Sequence, residues 1–242
     1  MPSYMSRGEM KSEARAAMRQ SHVSPYITAL IYCAVVYVIG LLSAKLMRVD
    51  ALAYLQVLSE SSPEYAVRFY ISNAPGAFAY VIDLLLGFMT DLLYAGFVIF
   101  VLKMIRRQEN SLWNLMDGFQ NFLKIVGLNI VMGIFVFLWG LLFVIPGIVA
   151  SYRYRQALYL LLDHPEMGIM ECINESKRMM RGHKAELFIL DLSFLGWSLL
   201  TIIPFVSVYV LPYMESTYAI YYMHLRELDG GFSRGPDRES WY

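Results

Sequence analysis

Apolar residues collect in six runs separated by polar, charge-bearing stretches: Tyr26 to Leu46, Ala77 to Leu102, Phe122 to Ile145, Ile148 to Leu162, Leu187 to Ile203, and about Val206 to Leu225. A helix needs about 20 apolar residues to cross the hydrocarbon core of a bilayer. The fourth run is short and carries Arg153 and Arg155. Pro146-Gly147 closes the third run, Pro204 ends the fifth, and Pro212 lies near the start of the sixth, so turns are expected there. The pattern predicts an all-α, polytopic integral membrane protein.

Lys and Arg decide between four crossings and six, because they favour the cytoplasmic side. They gather in the N-terminal segment (Arg7, Lys11, Arg15, Arg19), between the second and third runs (Lys103, Arg106, Arg107), between the fourth and fifth (Lys177, Arg178, Arg181, Lys184), and after the sixth (Arg226, Arg234, Arg238). The turns at Pro146-Gly147 and from Pro204 to Pro212 hold none. Six crossings with both termini inside put nearly all of this charge in the cytoplasm. The expected organisation is a cytoplasmic amphipathic segment over 1–24, a six-helix transmembrane domain over 25–226 with an outer loop at 47–76, and a cytoplasmic tail over 227–242.

Composition agrees with a membrane solvent. Hydrophobic residues make up 57% of the chain and charged residues 17%, against about a quarter charged in soluble domains. A disordered chain, a disulfide scaffold and an ordinary cytosolic enzyme are excluded. Charge is balanced at 20 Lys+Arg and 20 Asp+Glu, so no basic excess points to nucleic acid. Cys33 and Cys172 form no CxxC pair, which suggests neither metal nor redox chemistry. The run after the polar N-terminal segment lacks an Ala-x-Ala-like exit and is expected to be a retained span.

A unit repeats: a charged amphipathic entrance, an outward span, a turn and an inward span. Glu13 to Arg19 parallels Glu175 to Arg181 with the same spacing of acid and base. The middle entrance, Ser111 to Phe119, matches less well, but Ile145-Pro146-Gly147 through Tyr152 parallels Leu211-Pro212-Tyr213 through Tyr218. The expected architecture is therefore six transmembrane helices as three repeated hairpins with short interfacial helices. In the first entrance Ala14, Ala17 and Met18 share a face, with Arg15 and Arg19 on another. Ser111 is a plausible N-cap for the middle one. Arg15, Arg19, Lys177, Arg178, Arg181 and Lys184 are candidate contacts for anionic lipid, and Trp113 suits headgroup level.

Two segments carry a resemblance. One runs from Phe119 through Trp139 and Ile145-Pro146-Gly147 to Ser151-Tyr152-Arg153-Tyr154. The other joins Asn174-Glu175-Ser176-Lys177-Arg178-Met179-Met180-Arg181-Gly182-His183-Lys184 to Gly196-Trp197 and Leu211-Pro212-Tyr213. Together they resemble a family of bacterial integral membrane proteins catalogued as domain of unknown function nine-seven-five. The resemblance covers most of the chain, best from about Phe119 to Leu225. It implies a multi-helix membrane protein and no activity. Arg153 and Arg155 depart from the family's pattern, which carries less charge there, so a role built on them belongs to this protein.

Charged side chains at membrane depth cost roughly 2.5–3.5 kcal/mol on insertion scales and need partners or water. Asp83 and Asp91 lie in the second run, Arg153 and Arg155 in the fourth, and Glu215, shallower by its count from Pro212, in the sixth. A buried polar network is expected from these five, with Asp83 or Asp91 pairing Arg153 or Arg155. It is either an ion pair that fixes helix register or a polar pathway. Asp191 is expected to pair with Lys184 or to be hydrated, and the tyrosines of the sixth run to pack and anchor. His183 and Glu186 stand one turn apart, too few for a metal site. Nucleotide-loop, zinc-protease and serine-hydrolase motifs are absent, and no cofactor is expected. The expected function is non-enzymatic: a cell-membrane protein that interacts with lipids, a membrane protein partner or another copy of itself. A transporter or channel component using the Asp/Arg network is the alternative, and an intramembrane enzyme a distant third.

Overall fold

The computed structural model describes residues 5–47, 51–60, 62–201 and 204–228. Every regular element among them is helical; the expected tail beyond residue 228 lies outside the described residues. The chain divides into two compact units, residues 33–91 and residues 1–32 with 92–242.

Helices α1 (Arg7–Arg19) and α2 (Pro25–Met47) open the chain. Then come α3 (Ala51–Glu60), α4 (Pro63–Asn73), α5 (Ala77–Ile105), the short α6 (Asn114–Asp117) with a 3-10 turn at Gly118–Asn121, and α7 (Phe122–Leu142). The remainder is α8 (Val144–Tyr154), α9 (Ala157–Asp163), α10 (Ile169–Met179), α11 (Lys184–Leu192), α12 (Leu195–Leu200) and α13 (Pro204–Leu228). Three helices are long and apolar enough to cross a membrane: Pro25–Met47, Ala77–Ile105, and Asn114–Leu142 read through its 3-10 turn. The fourth run is interrupted at Arg155-Gln156 and the fifth at Ser193-Phe194, so neither makes one long helix. Helix α13 has the length but carries Glu215, Arg226 and many tyrosines.

In the unit of residues 33–91, the 47–76 connection supplies two helices. Ser62 caps α4 by accepting from the Tyr65 amide at 3.4 Å, with Pro63 in the first turn. Asp83 on α5 accepts a hydrogen bond from Ser43 on α2.

In the larger unit, α1 is closed by a capping box: the Ser6 amide donates to Glu9 at 2.6 Å, and the Glu9 amide to the Ser6 hydroxyl at 3.3 Å. Its face of Met10, Ala14 and Met18 is buried, and the helix packs against α13. Lys11 donates to the Ser193 hydroxyl at 2.8 Å and lies 4.1 Å over the Phe194 ring. The apolar face expected at the lipid interface is therefore covered by protein. In the parallel segment Cys172, Ser176 and Met180, at the positions matching Met10, Ala14 and Met18, are also buried.

Two close approaches set the backbone geometry. A Cβ at Gly118 would collide with the Leu92 carbonyl, and one at Gly96 with the Leu115 carbonyl. The 3-10 turn therefore wedges directly against α5. Gly147 lies so near Gly140 that a Cβ would be 2.8 Å from the Gly140 Cα, which closes α7 against α8. The turn between them is Phe143, extended at φ −159°, ψ 149°. The expected turn at Pro146-Gly147 is thus displaced, because proline fits the first turn of α8, where its missing N–H is no loss.

The break between α8 and α9 is bridged from outside. Ser176 of α10 donates its hydroxyl to the Arg153 carbonyl at 2.9 Å and accepts from the Gln156 amide at 3.2 Å. One hydroxyl thus serves an acceptor and a donor that an unbroken helix would have paired internally. On the opposite side of the larger unit, Asp163 at the end of α9 takes Arg106 at 2.6 Å, Arg226 at 3.0 Å and the Tyr222 hydroxyl at 2.8 Å on a single oxygen. Burial would lower the Arg106 guanidinium, but the hydrogen bond and charge of Asp163 outweigh it and hold it raised. Asp163 ties together the ends of α5, α9 and α13.

Gly118→Ala is expected to abolish folded protein, whereas Gly133→Ala, with open space around its Cβ site, should match or exceed the parent by up to about 1 kcal/mol. Yield of monodisperse protein and thermal unfolding in detergent check both, and a well-folded Gly118→Ala protein would contradict the wedge. The hydrogen bonds to Ser6 hold the Glu9 carboxyl below its usual range. The capping contribution is therefore complete above the ordinary carboxyl value of about 4.3 and fades as pH falls through the depressed one. Hydrogen-exchange protection of α1 should drop on acidification in the parent and stay flat in Glu9→Gln.

Candidate functional site

Five helices of the larger unit, α5, α8, α9, α11 and α13, send polar side chains to one place. Glu215 of α13 is buried, with 6% of its surface exposed. It accepts from the Tyr94 hydroxyl of α5 at 3.0 Å and from the Tyr159 hydroxyl of α9 at 3.2 Å. Arg155, at the break between α8 and α9, lies with its guanidinium carbon 5.0 Å from the centroid of the Tyr218 ring. Its charge acts on Glu215, Asp191, Tyr94 and Tyr159. Asp191, near the end of α11, accepts from the Tyr152 hydroxyl at 2.8 Å and faces Tyr218. Its other oxygen, Oδ1, is buried without a hydrogen-bond partner among the described residues.

The cluster lies where helical structure is weakest. The breaks at Arg155-Gln156 and Ser193-Phe194 flank it, and Pro212 interrupts the hydrogen bonding of α13 one turn before Glu215. Phe194, the residue at the second break, is buried against Tyr213 and Tyr218 with ring centroids at 5.5 and 5.9 Å. Two carboxylates are held by tyrosine hydroxyls, which donate without adding charge, and the guanidinium lies over a tyrosine ring. The group can hold a proton or small cation in exchange for one of its internal contacts, or it can fix the register of the helices that meet there.

Of the residues expected in a buried network, Arg155 and Glu215 come together, Glu215 buried and Arg155 exposed at the cluster's edge. Glu215 lies well inside α13, which begins at Pro204 and runs through Pro212, and is buried in the protein. Arg153 is half-buried, and its carbonyl is used by Ser176. Asp83 and Asp91 belong to the other unit, where both are half-buried. Asp191 takes Tyr152 instead of the expected Lys184 or water. The tyrosines Tyr94, Tyr152 and Tyr159 were not expected. Tyr152, Arg155 and Tyr159 at i, i+3 and i+7 form one helical stripe, as do Glu215, Tyr218 and Tyr222, and that spacing is the signal that could have found them.

The candidate lipid contacts divide. Arg15, Arg19, Arg178 and Arg181 are exposed and Lys184 is half-exposed, while Trp113 has 78% of its surface free. Arg178 also pairs with Glu175 at 2.5 Å. Lys177 is partly withdrawn: its ammonium lies 5.7 Å from the centroids of both the Phe135 and Tyr154 rings and donates to Asn174. The middle entrance is tied inward as Lys103 reaches Asp117 at 3.2 Å and Asn114 donates to Asp117 at 2.6 Å. Ser111 does not cap α6; its amide donates to the Asn114 side chain at 2.8 Å. His183 contacts Glu186 at 2.8 Å, and no group of three metal-ligating side chains occurs among the described residues.

Removing a hydroxyl leaves its buried polar partner, a carboxylate for Tyr159 and backbone groups for Ser176, short of a hydrogen bond, at about 1–3 kcal/mol. Tyr159→Phe and Ser176→Ala are each expected to lower unfolding stability by that order. Tyr94→Phe combined with Tyr159→Phe should be non-additive, since both serve Glu215. Thermal unfolding of the singles and the double checks this; strict additivity would separate the two tyrosines.

Residues 141–229 match the model of a family described as "Protein of unknown function (DUF975)", in agreement with the resemblance read from the sequence. The matched stretch includes Tyr152, Arg155, Tyr159, Asp191, Glu215 and Tyr218. No curated protein and no solved structure matches the chain.

Proposed function

We propose that this protein is a non-enzymatic, multi-pass component of the cell membrane that works by engaging anionic lipid, or a membrane complex, along a basic inner rim. One observation carries the reading. The entrance helices α1 and α10 bury their apolar faces in protein, and the outward residues include Arg15, Arg19, Arg178 and Arg181 beside the acids Glu9, Glu13 and Glu171. A helix that spends its apolar face on the bundle does not insert into lipid as a wedge; it presents charge to headgroups. Such residues supply roughly 1 kcal/mol each near an anionic surface. Six crossings in three hairpins, with both termini in the cytoplasm, place this rim at the inner leaflet. The charge distribution supports that topology, and so does the shared buried register of the first and third entrances.

A second reading rests on the interior cluster. An excess of carboxylate over guanidinium at interrupted helices is the arrangement by which membrane bundles hold small cations or protons, and it supports a transporter or channel component.

Replacing Arg15, Arg19 and Arg181 by Glu is expected to reduce the anionic lipid that copurifies, by about fivefold for each residue at low salt, with the fold intact. Unchanged lipid enrichment would count against the rim. Cysteines placed at Ser3 and Ser240 should resist an impermeant reagent applied to intact cells, and labelling from outside would reverse the topology. Proton or alkali-cation flux in proteoliposomes that Glu215→Gln abolishes would replace the first reading with the second.

A further inference from the structure

A cavity of about 200 Å³ opens where the ends of α1 and α5 meet. Its wall is built by hydrogen bonds that are already committed. Asn110, buried, donates to the Ser21 hydroxyl at 2.8 Å and accepts from the Val23 amide at 3.4 Å. The Ser21 hydroxyl in turn donates a hydrogen bond to the Val23 carbonyl at 2.7 Å. These contacts fix the 20–24 and 106–111 segments to each other and hold the cavity open in one shape.

The remaining polar lining is uncommitted. Gln20, His22, Arg107 and Gln108 border the cavity, and their side chains make no hydrogen bond among the described residues. All four can donate and one is a permanent cation. Four of the helix carbonyls that would otherwise oppose an anion here are engaged. The Gln20 amide covers Ala16 and Ala17, the Arg107 amide covers Met104, and the Gln108 amide covers Lys103 at 2.9 Å.

The cation is also placed at a cost. Arg107 has φ +57°, the one positive-φ residue other than glycine among the described residues. The 108-to-103 and 107-to-104 bonds form a Schellman motif, whose left-handed position belongs by preference to glycine. Arginine there gives up backbone comfort to set a guanidinium at the mouth of the cavity, and such outliers collect at ligand sites.

We propose that this cavity binds a phosphate group, with Arg107 as its charge-bearing ligand and Gln20, His22 and Gln108 as neutral donors. The source that fits its setting is the headgroup of an anionic phospholipid. Exposed Arg19 and Trp113 flank the two segments, and Trp113 is the residue type that settles at headgroup level. Identification of the source rests on the rim being at the inner leaflet; the phosphate chemistry does not.

The test uses the full-length protein in detergent, with phosphatidylglycerol, phosphatidylcholine or inorganic phosphate added, and reads thermal unfolding and bound lipid by native mass spectrometry. Phosphatidylglycerol should raise the unfolding temperature of the parent, and phosphatidylcholine should do so much less. Arg107→Lys should keep most of the shift. Arg107→Gly should unfold at the same or a higher temperature than the parent without lipid, since glycine relieves the left-handed backbone. Yet it should bind phosphatidylglycerol at least about fivefold more weakly and lose one tightly held lipid. An Arg107-dependent shift with inorganic phosphate alone supports the same site with a free anion as its source. A phosphatidylglycerol shift that survives intact in Arg107→Gly, or no shift by either ligand in the parent, overturns the proposal. Arg15, Arg19 and Arg181 are left unchanged in these proteins, so a failure at Arg107 leaves the rim standing, and a failure of the rim leaves the cavity to be judged separately.

Discussion

A polar group held among apolar neighbours must find its partner inside the protein, and here tyrosine hydroxyls supply it to the buried carboxylates. Tyr94 and Tyr159 serve Glu215, Tyr152 serves Asp191, Tyr222 serves Asp163, and Tyr221 reaches the His183 carbonyl at 2.9 Å. Within a bilayer, lipid tails are as apolar as the side chains of the core, so burial alone supplies little preference for one helix arrangement. Hydrogen bonds between spans then decide which arrangement is kept. Phenol suits the task because its ring packs as a hydrophobe while its oxygen donates at a fixed distance from the backbone.

The same constraint explains why the broken helices are tolerated. An interruption frees backbone carbonyls and amides, which cannot be left bare in hydrocarbon. The Ser176 hydroxyl repairs the break between α8 and α9. At the break between α11 and α12, the Ser193 and Phe194 amides turn back to Ile189, Leu190 and Asp191. Each break is therefore closed within its own strand of chain or by one neighbouring helix. The side chains beside it stay available to Glu215, Asp191 and Arg155.

Much of the fold is legible in the residues. The apolar runs locate the helices, and the i, i+4 pair Ala14 and Met18 marks the face of α1 that is buried. Arg155 and Glu215 stand out as charges in apolar surroundings. Other features are hidden for identifiable reasons. A tyrosine in an apolar run reads as packing, and nothing in its own neighbourhood says which carboxylate lies across the gap. Lys184 was the nearer partner for Asp191 along the helix, but Tyr152 from α8 is the one that arrives. The displaced turn at Phe143 reflects the double nature of proline, which ends one helix and begins another equally well. Apolarity marked the face of α1 and left open whether lipid or protein would cover it; α13 does.

The docking of α1 on α13 has an implication for biogenesis. The Met5 amide donates to the His224 ring at 3.2 Å, across nearly the whole chain. Helix α1 is synthesised well before α13, so until α13 is made the methionine-lined side of α1 lacks the helix that covers it. A polypeptide cut short before α13 thus displays a greasy amphipathic face that the folded molecule conceals.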